Sequence, residues 1–223
     1  LANSSIDWSI KEDNMQLAVF GGTGKTGKLV VEQALAAGHQ VTVLARNPAK
    51  LTIQNPNLRV VQGDVQDAAK VLETVRGANA VISALGPTSN KPLFEVSKGM
   101  TNIIAAMREA GVKRLIITAG AGVREEMDQP KFADKLIVTA LKLLNGNVLA
   151  DMQRAVDQVK ASGLDWTVVR GPMLTDDPAT GNVRAGGVGK DIGTRLSRAD
   201  FAAFLLAQVN NPQWVRKAPA ISN

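Results

Sequence analysis

Phe20-Gly21-Gly22-Thr23-Gly24-Lys25-Thr26-Gly27 decides how the rest of this chain is read. The octapeptide follows a short apolar run, Gln16–Phe20, whose length and flanks mark it as a buried strand. It opens a helix expected over Gly24–Ala37, with Gly38 as its stop, and a second β-rich run, Val41–Ala45, comes next. In this setting the glycines have a chemical use. They permit a tight turn, and they let the backbone approach a pyrophosphate at a helix amino end.

Three readings of the loop compete. Gly24-Lys25-Thr26 looks like the end of a triphosphate-binding loop, but G-x-x-x-x-G-K-[ST] needs a glycine where Val19 stands inside the strand. Gly22-x-Gly24-x-x-Gly27 fits the dinucleotide fingerprint, and Gly21-x-x-Gly24-x-x-Gly27 fits its variant in the short-chain reductases. Both of these predict a bound dinucleotide. Its type is set at the end of the second strand, where NAD sites usually carry Asp or Glu for the ribose hydroxyls. Here the residues are Ala45-Arg46-Asn47, with Lys50 close behind. A guanidinium pairs with a 2′-phosphate that a carboxylate would repel, so Arg46 favours NADP over NAD. Asp64, in Gly63-Asp64-Val65, can receive an adenine amino group or serve as a turn or cap residue. Ala84-Leu85-Gly86 ends the fourth strand and is expected to run beneath the adenosine ribose and pyrophosphate.

Outward from the loop, Leu58–Val61 reads as a third strand and Asp67–Arg76 as a helix with Asp67 as N-cap and Gly77 as stop. Asn79–Ala84 is a fourth strand, closed by Gly86-Pro87. Val96, Met100, Ile103, Ile104 and Met107 recur at helical spacing up to Gly111, and Leu115–Thr118 is a fifth strand. A longer helical region puts Leu136, Ala140, Leu141 and Leu144 on one face and breaks at Asn145-Gly146-Asn147. It resumes with Val148, Met152, Val156 and Val159 until Gly163, and Trp166–Arg170 is a sixth strand. Alternating helices and near-continuous Val/Ile/Leu strands predict an α/β fold with a parallel sheet covered on both faces. Leu174–Arg195, rich in Asp, Gly, Thr and Pro, is expected to be an irregular excursion on the substrate side. Ser197-Arg198-Ala199-Asp200 starts a last helix, Phe201–Val209, and Ala218–Ile221 is a final short run. Leu1–Asn14 is polar and aperiodic, an extension before a single domain over residues 15–223.

Composition narrows the function. With 223 residues and 45% hydrophobic content the chain holds one full core. Its apolar runs fall well short of the roughly 20 residues of a membrane span, and without a secretory start the default compartment is the cytoplasm. There is no cysteine, which excludes disulfides, thiolate metal sites and a cysteine nucleophile; with no histidine–carboxylate cluster either, no metal is expected. The net charge of +6 is dispersed over residues such as Lys25, Lys28, Arg46, Lys113, Arg114, Arg195 and Arg198, without interleaved aromatics. That fits an anionic small ligand better than nucleic acid. No patch nominates an interface, so a monomer is the default.

Gly21–Gly27, Arg46, Gly63-Asp64-Val65, Ala84-Leu85-Gly86, Leu115-Ile116-Ile117-Thr118 and Ser162–Pro172, in this order, resemble the atypical short-chain dehydrogenase/reductases. Within that group the chain is similar to the biliverdin/flavin reductases (the biliverdin reductase B type) and the NmrA-like NAD(P)-binding proteins, from Met15 to Asn223. The resemblance implies a Rossmann-like, doubly wound sheet that binds NADP(H). Carried onto this chain, it puts Thr23, Gly24, Lys25 and Thr26 on the pyrophosphate, Arg46 on the 2′-phosphate, and Asp64 and Val65 on the adenine. Thr118 and Ala119 would flank the nicotinamide, and Pro172, Met173 and Leu174 would close over its far side. The departures are as informative. Standard members use a Tyr-x-x-x-Lys pair to protonate the carbonyl oxygen, and this chain has no tyrosine. Where the biliverdin/flavin reductases carry a serine after the fifth strand and a histidine after the sixth, it has Gly120 and Met173.

Little acid–base chemistry remains. His39, the single histidine, lies in the turn before the second strand, away from the strand carboxyl ends where ligands bind. Asp176-Asp177 reads more simply as a turn in a polar loop, and Asp151 and Arg154 as a solvated helix face. Ketone reduction leaves an alkoxide and needs a positioned proton donor. Hydride transfer to a flavin or quinone leaves a delocalised anion that solvent can protonate. The sequence therefore predicts an NADPH-dependent reductase of a planar conjugated acceptor (flavin, quinone or tetrapyrrole), acting mainly by proximity, with Thr118 and backbone amides polarising the acceptor. The alternative is a non-catalytic NADP(H)-binding sensor or assembly partner of the NmrA-like type. An isomerase or epimerase of the superfamily is disfavoured, since those also use the Tyr–Lys pair.

Overall fold

The computed structural model describes residues 14–223, excluding the side chains of residues 133–138 and 140–143. The reading of residues 1–14 as an extension falls almost wholly outside that span, as do the side chains of Leu136, Ala140 and Leu141. The strands of the first half are β1 (Gln16–Phe20), β2 (Gln40–Ala45), β3 (Leu58–Gln62) and β4 (Ala80–Ser83). They alternate with α1 (Lys25–Ala36), α2 (Ala68–Val75) and α3 (Glu95–Glu109). In the second half, β5 (Arg114–Gly120), α4 (Phe132–Lys160) and β6 (Asp165–Gly171) are followed by the short strands β7 (Met173–Thr175), β8 (Arg184–Gly186) and β9 (Arg195–Ser197). The last elements are α5 (Arg198–Ala207) and β10 (Ala220–Ser222).

The sheet order is β3-β2-β1-β4-β5-β6-β10-β8, parallel up to β10, with β8 antiparallel at the edge. This is the doubly wound Rossmann-like order, with its crossover between β1 and β4. Successive strand residues serve opposite faces, as a sheet buried on both sides requires. Ala18, Phe20, Val81, Leu115, Ile117 and Val168 pack against α2, α3 and α4. Leu17, Val19, Ile82, Ile116 and Val169 pack against α1 and α5.

The expected caps form. Asp67 accepts the N–H groups of Ala69 and Lys70, and Ser197 accepts that of Asp200. The break at Asn145 is a kink (φ −135°, ψ 40°) within α4. Two readings need correction. Leu144 is 72% exposed and belongs to no buried face. The excursion expected to be irregular contains β8 and is bounded by β7 and β9, which pair in a separate parallel ribbon. At three residues each these strands are too short to show a period in sequence. Among the described residues no helix is long and apolar enough to cross a membrane.

Candidate cofactor site

The glycine loop owes its shape to backbone crowding. At Gly21 the chain leaves β1 with φ +78°, and a Cβ there would lie 2.7 Å from the Ala84 carbonyl. A Cβ on Gly27 would lie 2.1 Å from the Gly21 oxygen, and one on Gly22 2.7 Å from a Val43 methyl. Strand, turn and helix can pack this closely only without side chains at these positions. Gly24 is the N-cap of α1 and supplies no side-chain acceptor. The first-turn N–H groups therefore present the helix dipole to whatever anion sits above them.

A cleft opens over the carboxyl ends of the strands at the crossover. β1 and the loop after it contribute Phe20, Gly21 and Thr23; the end of β2 and the residue beyond it contribute Leu44 and Arg46; the loop after β3 contributes Gly63, Asp64, Val65 and Gln66. Leu85, Gly86 and Thr88 follow β4, and Glu95 and Val96 open α3. Of the residues expected to hold a cofactor, the structure thus brings Gly21, Thr23, Arg46, Asp64, Val65, Leu85 and Gly86 together around one space. The Arg46 side chain is 63% exposed, with Nε 3.9 Å from Asp64 Oδ2. Asp64 Oδ1 accepts the Gln66 N–H at 2.8 Å, so Asp64 shapes its own turn while facing the cleft. Ala84, half-buried, backs the Gly21 turn rather than lining the cleft.

Lys25 departs from expectation. It extends away from the cleft and donates to Asp176 at 2.9 Å, and Arg198 donates to the other oxygen of the same carboxylate. The Lys25 ammonium, seconded by Arg198, holds the Asp176 carboxyl below the usual carboxylate range. Asp176 is therefore an ion-pairing residue that ties the start of the excursion to the glycine loop, while Asp177 lies 3.9 Å from Arg195.

The remaining expected residues sit on the other side of the crossover. Thr118 is half-buried and Ala119 buried near the end of β5, in register with Val169 and Arg170 of β6. Beyond β6 the chain passes through Pro172 into β7, where Met173 is 59% exposed and Leu174 packs inward. Arg170, read from the sequence only as the end of the sixth strand, is fully buried. It donates to both oxygens of Asp128, at 2.6 and 2.8 Å, and to the carbonyls of Val123 and Ala218.

His39 lies where the sequence put it, buried at the opposite end of the sheet, with Nδ1 accepting the Met15 N–H at 3.3 Å. Burial holds its pKa below the ordinary imidazole value. Asp151 overturns its reading as a solvated residue. It is 4% exposed, and its oxygens accept the N–H groups of Val96 and Ser97. Arg154 is exposed, but its guanidinium lies 4.1 Å above the Phe94 ring. Gln66, Thr88, Glu95 and Val96 were missed as cleft residues. Thr88 follows a strand carboxyl end, which is a usable signal, whereas Glu95 reaches the cleft only through the placement of α3.

Comparison with known proteins agrees with this geometry. A family model described as NAD(P)H-binding matches residues 21–212. The chain is similar to Uncharacterized protein YwnB of Bacillus subtilis (strain 168), 26% identical over 89% of this chain and 94% of that protein. Among solved structures it is similar in fold to a short-chain dehydrogenase/reductase from Veillonella parvula DSM 2008 in complex with NADP. The TM-score there is 0.78, with 17% identity over 95% of both chains. It is also similar to ChuY, an anaerobillin reductase from Escherichia coli O157:H7. That TM-score is 0.76, with 22% identity over 93% of this chain and 96% of the other.

Proposed function

The chain belongs to the NAD(P)H-binding family, and on that premise we propose that it is an NADPH-dependent reductase of a planar conjugated acceptor such as a flavin, a quinone or a tetrapyrrole. The observation that carries the reading is Arg46, set at the mouth of the crossover cleft where an NAD site would place a carboxylate. The residues present suit the dinucleotide. Gly21 and Gly27 leave a turn that no Cβ would permit, and α1 begins without a side-chain cap. Thr23, Gly24 and Thr26 would take the pyrophosphate, Arg46 the 2′-phosphate, and Asp64 and Val65 the adenine. Thr118 and Ala119 would face the nicotinamide, with Pro172, Met173 and Leu174 across from them.

Reduced nicotinamide supplies the hydride when bound. The chain's own part is to orient the two rings and exclude water, which is catalysis by proximity. With no tyrosine in the chain there is no Tyr–Lys pair to protonate an alkoxide. An acceptor whose product anion is delocalised does not need one. The Thr118 hydroxyl would polarise an acceptor oxygen. The solved neighbour named as an anaerobillin reductase supports a conjugated acceptor at the level of fold. The same missing acid–base set favours a second reading, an NADP(H)-binding sensor without turnover.

Titration with NADPH and NADH, followed by NADPH oxidation in the presence of FMN and of biliverdin, separates the two. Binding with turnover is the expected result. Binding without turnover on flavins, quinones or biliverdin would transfer the assignment to the sensor, and no binding of either nucleotide would remove both.

A further inference from the structure

α3 starts in an unusual way. Its N-cap residue, Phe94, provides no side-chain cap and sits at φ +52°, ψ +43°, left-handed backbone that a residue with a Cβ keeps only when its surroundings impose it. The cap comes from another helix. Asp151 of α4 places Oδ2 3.0 Å from the Val96 nitrogen and Oδ1 2.9 Å from that of Ser97, so one buried carboxylate receives two first-turn N–H groups. This is also where a negative charge best meets the helix dipole. One turn further along α4, Arg154 lies over the Phe94 ring and holds it from outside. Just after the Asn145 kink, Asn147 donates to the Asn90 carbonyl, and Asn90 donates back to that of Leu144. The stretch of α4 from 144 to 154 thus grips the segment from 90 to 97.

What is gripped is a wall of the cleft. Thr88, Glu95 and Val96 line it, and the Thr88 hydroxyl donates to the Glu95 carboxylate at 2.6 Å. The same helix supports the opposite side. A Cβ on Gly99 would lie 2.7 Å from the Val65 methyls, and Asn102 donates to the Val65 carbonyl at 3.0 Å. A shift in the start of α3 would therefore move Glu95, Val96 and Val65 together.

We propose that Asp151 and Arg154 are positioning residues for the adenosine half of the cofactor site. They fix the start of α3, and through it two walls of the cleft, without touching the ligand. The inference rests on the reading of the cleft as a dinucleotide site. Glu95, with its hydroxyl partner Thr88, is the group they present, an acceptor for an amino or hydroxyl donor on adenosine.

The test is calorimetric titration of Asp151→Asn, Arg154→Gln and Arg154→Lys with NADPH and with 2′,5′-ADP, a probe of the adenosine half alone. Amide exchange of residues 88–97 is followed in the cofactor-free proteins. Asp151→Asn and Arg154→Gln should each weaken both ligands about two- to fivefold. Exchange over 88–97 should be faster than in the wild type, and Arg154→Lys, which keeps a cation over the ring, should restore both readouts. Arg154 is exposed, so its variants report even if Asp151→Asn fails to fold. Unchanged affinities in the folded variants, or faster exchange without loss of affinity, would overturn the proposal and leave Asp151 a structural cap. A wild type that binds neither NADPH nor 2′,5′-ADP would instead sink the dinucleotide reading, and this one with it.

Discussion

Arg46 makes its ion pair only loosely, at 3.9 Å, and most of its surface is open to solvent, so replacing it should leave stability nearly unchanged and act on the ligand. Arg46→Ala should weaken NADPH by about 1–3 kcal/mol, the worth of a lost charge-assisted contact, and barely affect NADH. Titration of both nucleotides checks this, and equal losses would show that Arg46 does not read the 2′-phosphate. Gly27→Ala is the opposite kind of change. Its methyl would meet the Gly21 oxygen at 2.1 Å, so the loop and α1 must separate. We expect a stability loss of about 1–3 kcal/mol in urea, together with loss of nucleotide binding. These positions were legible in sequence because glycine spacing is itself a steric statement. The partner of Lys25 was not, since Asp176 meets it from 151 residues away.

At the scale of elements, the turn between α1 and β2 holds a proton-linked contact. His39 Nδ1 accepts the Met15 N–H and can do so only when unprotonated. Burial depresses its pKa in the folded state below the roughly 6.5 of an exposed imidazole. Between the two values the unfolded chain binds more protons, so stability rises with pH there and is lost as pH falls below about 6.5. Urea midpoints at pH 7.5, 6.5 and 5.5 should fall in that order for the wild type, and the slope should flatten in His39→Gln. A fall of the same size in the variant would refute the linkage. Most elements could be read from the sequence because they carry local signals: apolar strands buried on both faces, Asp67 and Ser197 at helix starts, Gly38, Gly77, Gly111 and Gly163 past helix ends. The start of α3 could not be read, because its cap, Asp151, lies on a different helix. The short strands of the excursion were hidden for a similar reason, since a three-residue strand is defined by its partner rather than its composition.

Across the whole molecule, the loops at 121–130 and 184–191 are held to the sheet by a buried charge pair. Arg170 at the end of β6 is fully buried, and Asp128, on the loop after β5, is 6% exposed in its side chain. Asp128 also accepts the N–H groups of Val188 and Glu125, at 2.9 Å each. Arg170 donates to the carbonyls of Val123 and Ala218. Two loops, β6 and the approach to β10 therefore meet at one pair. Backbone contact completes the joint: a Cβ on Gly187 would lie 2.3 Å from the Met127 oxygen and one on Gly189 2.2 Å from that of Gln129. Removing one partner of a buried pair strands the other charge, so Asp128→Ala should cost about 3–5 kcal/mol in a urea titration. Arg170→Met with Asp128→Leu, which removes both charges, should cost less than the sum of the single changes. Acid should act at the same joint. Burial pushes the Asp128 carboxyl up, but the Arg170 guanidinium and the two backbone N–H groups outweigh it, and the pKa ends below the ordinary value. A depressed carboxylate contributes stability above about pH 3.9 and loses it as pH falls further, a window well below that of His39. Proteolysis of the 121–130 and 184–191 loops as pH is lowered from 5 to 3 should accelerate in the wild type before global unfolding. In Asp128→Ala the same cuts should already be fast at pH 7. Loops that stay protected in that variant would mean that glycine-mediated backbone packing, not the ion pair, holds the two loops together.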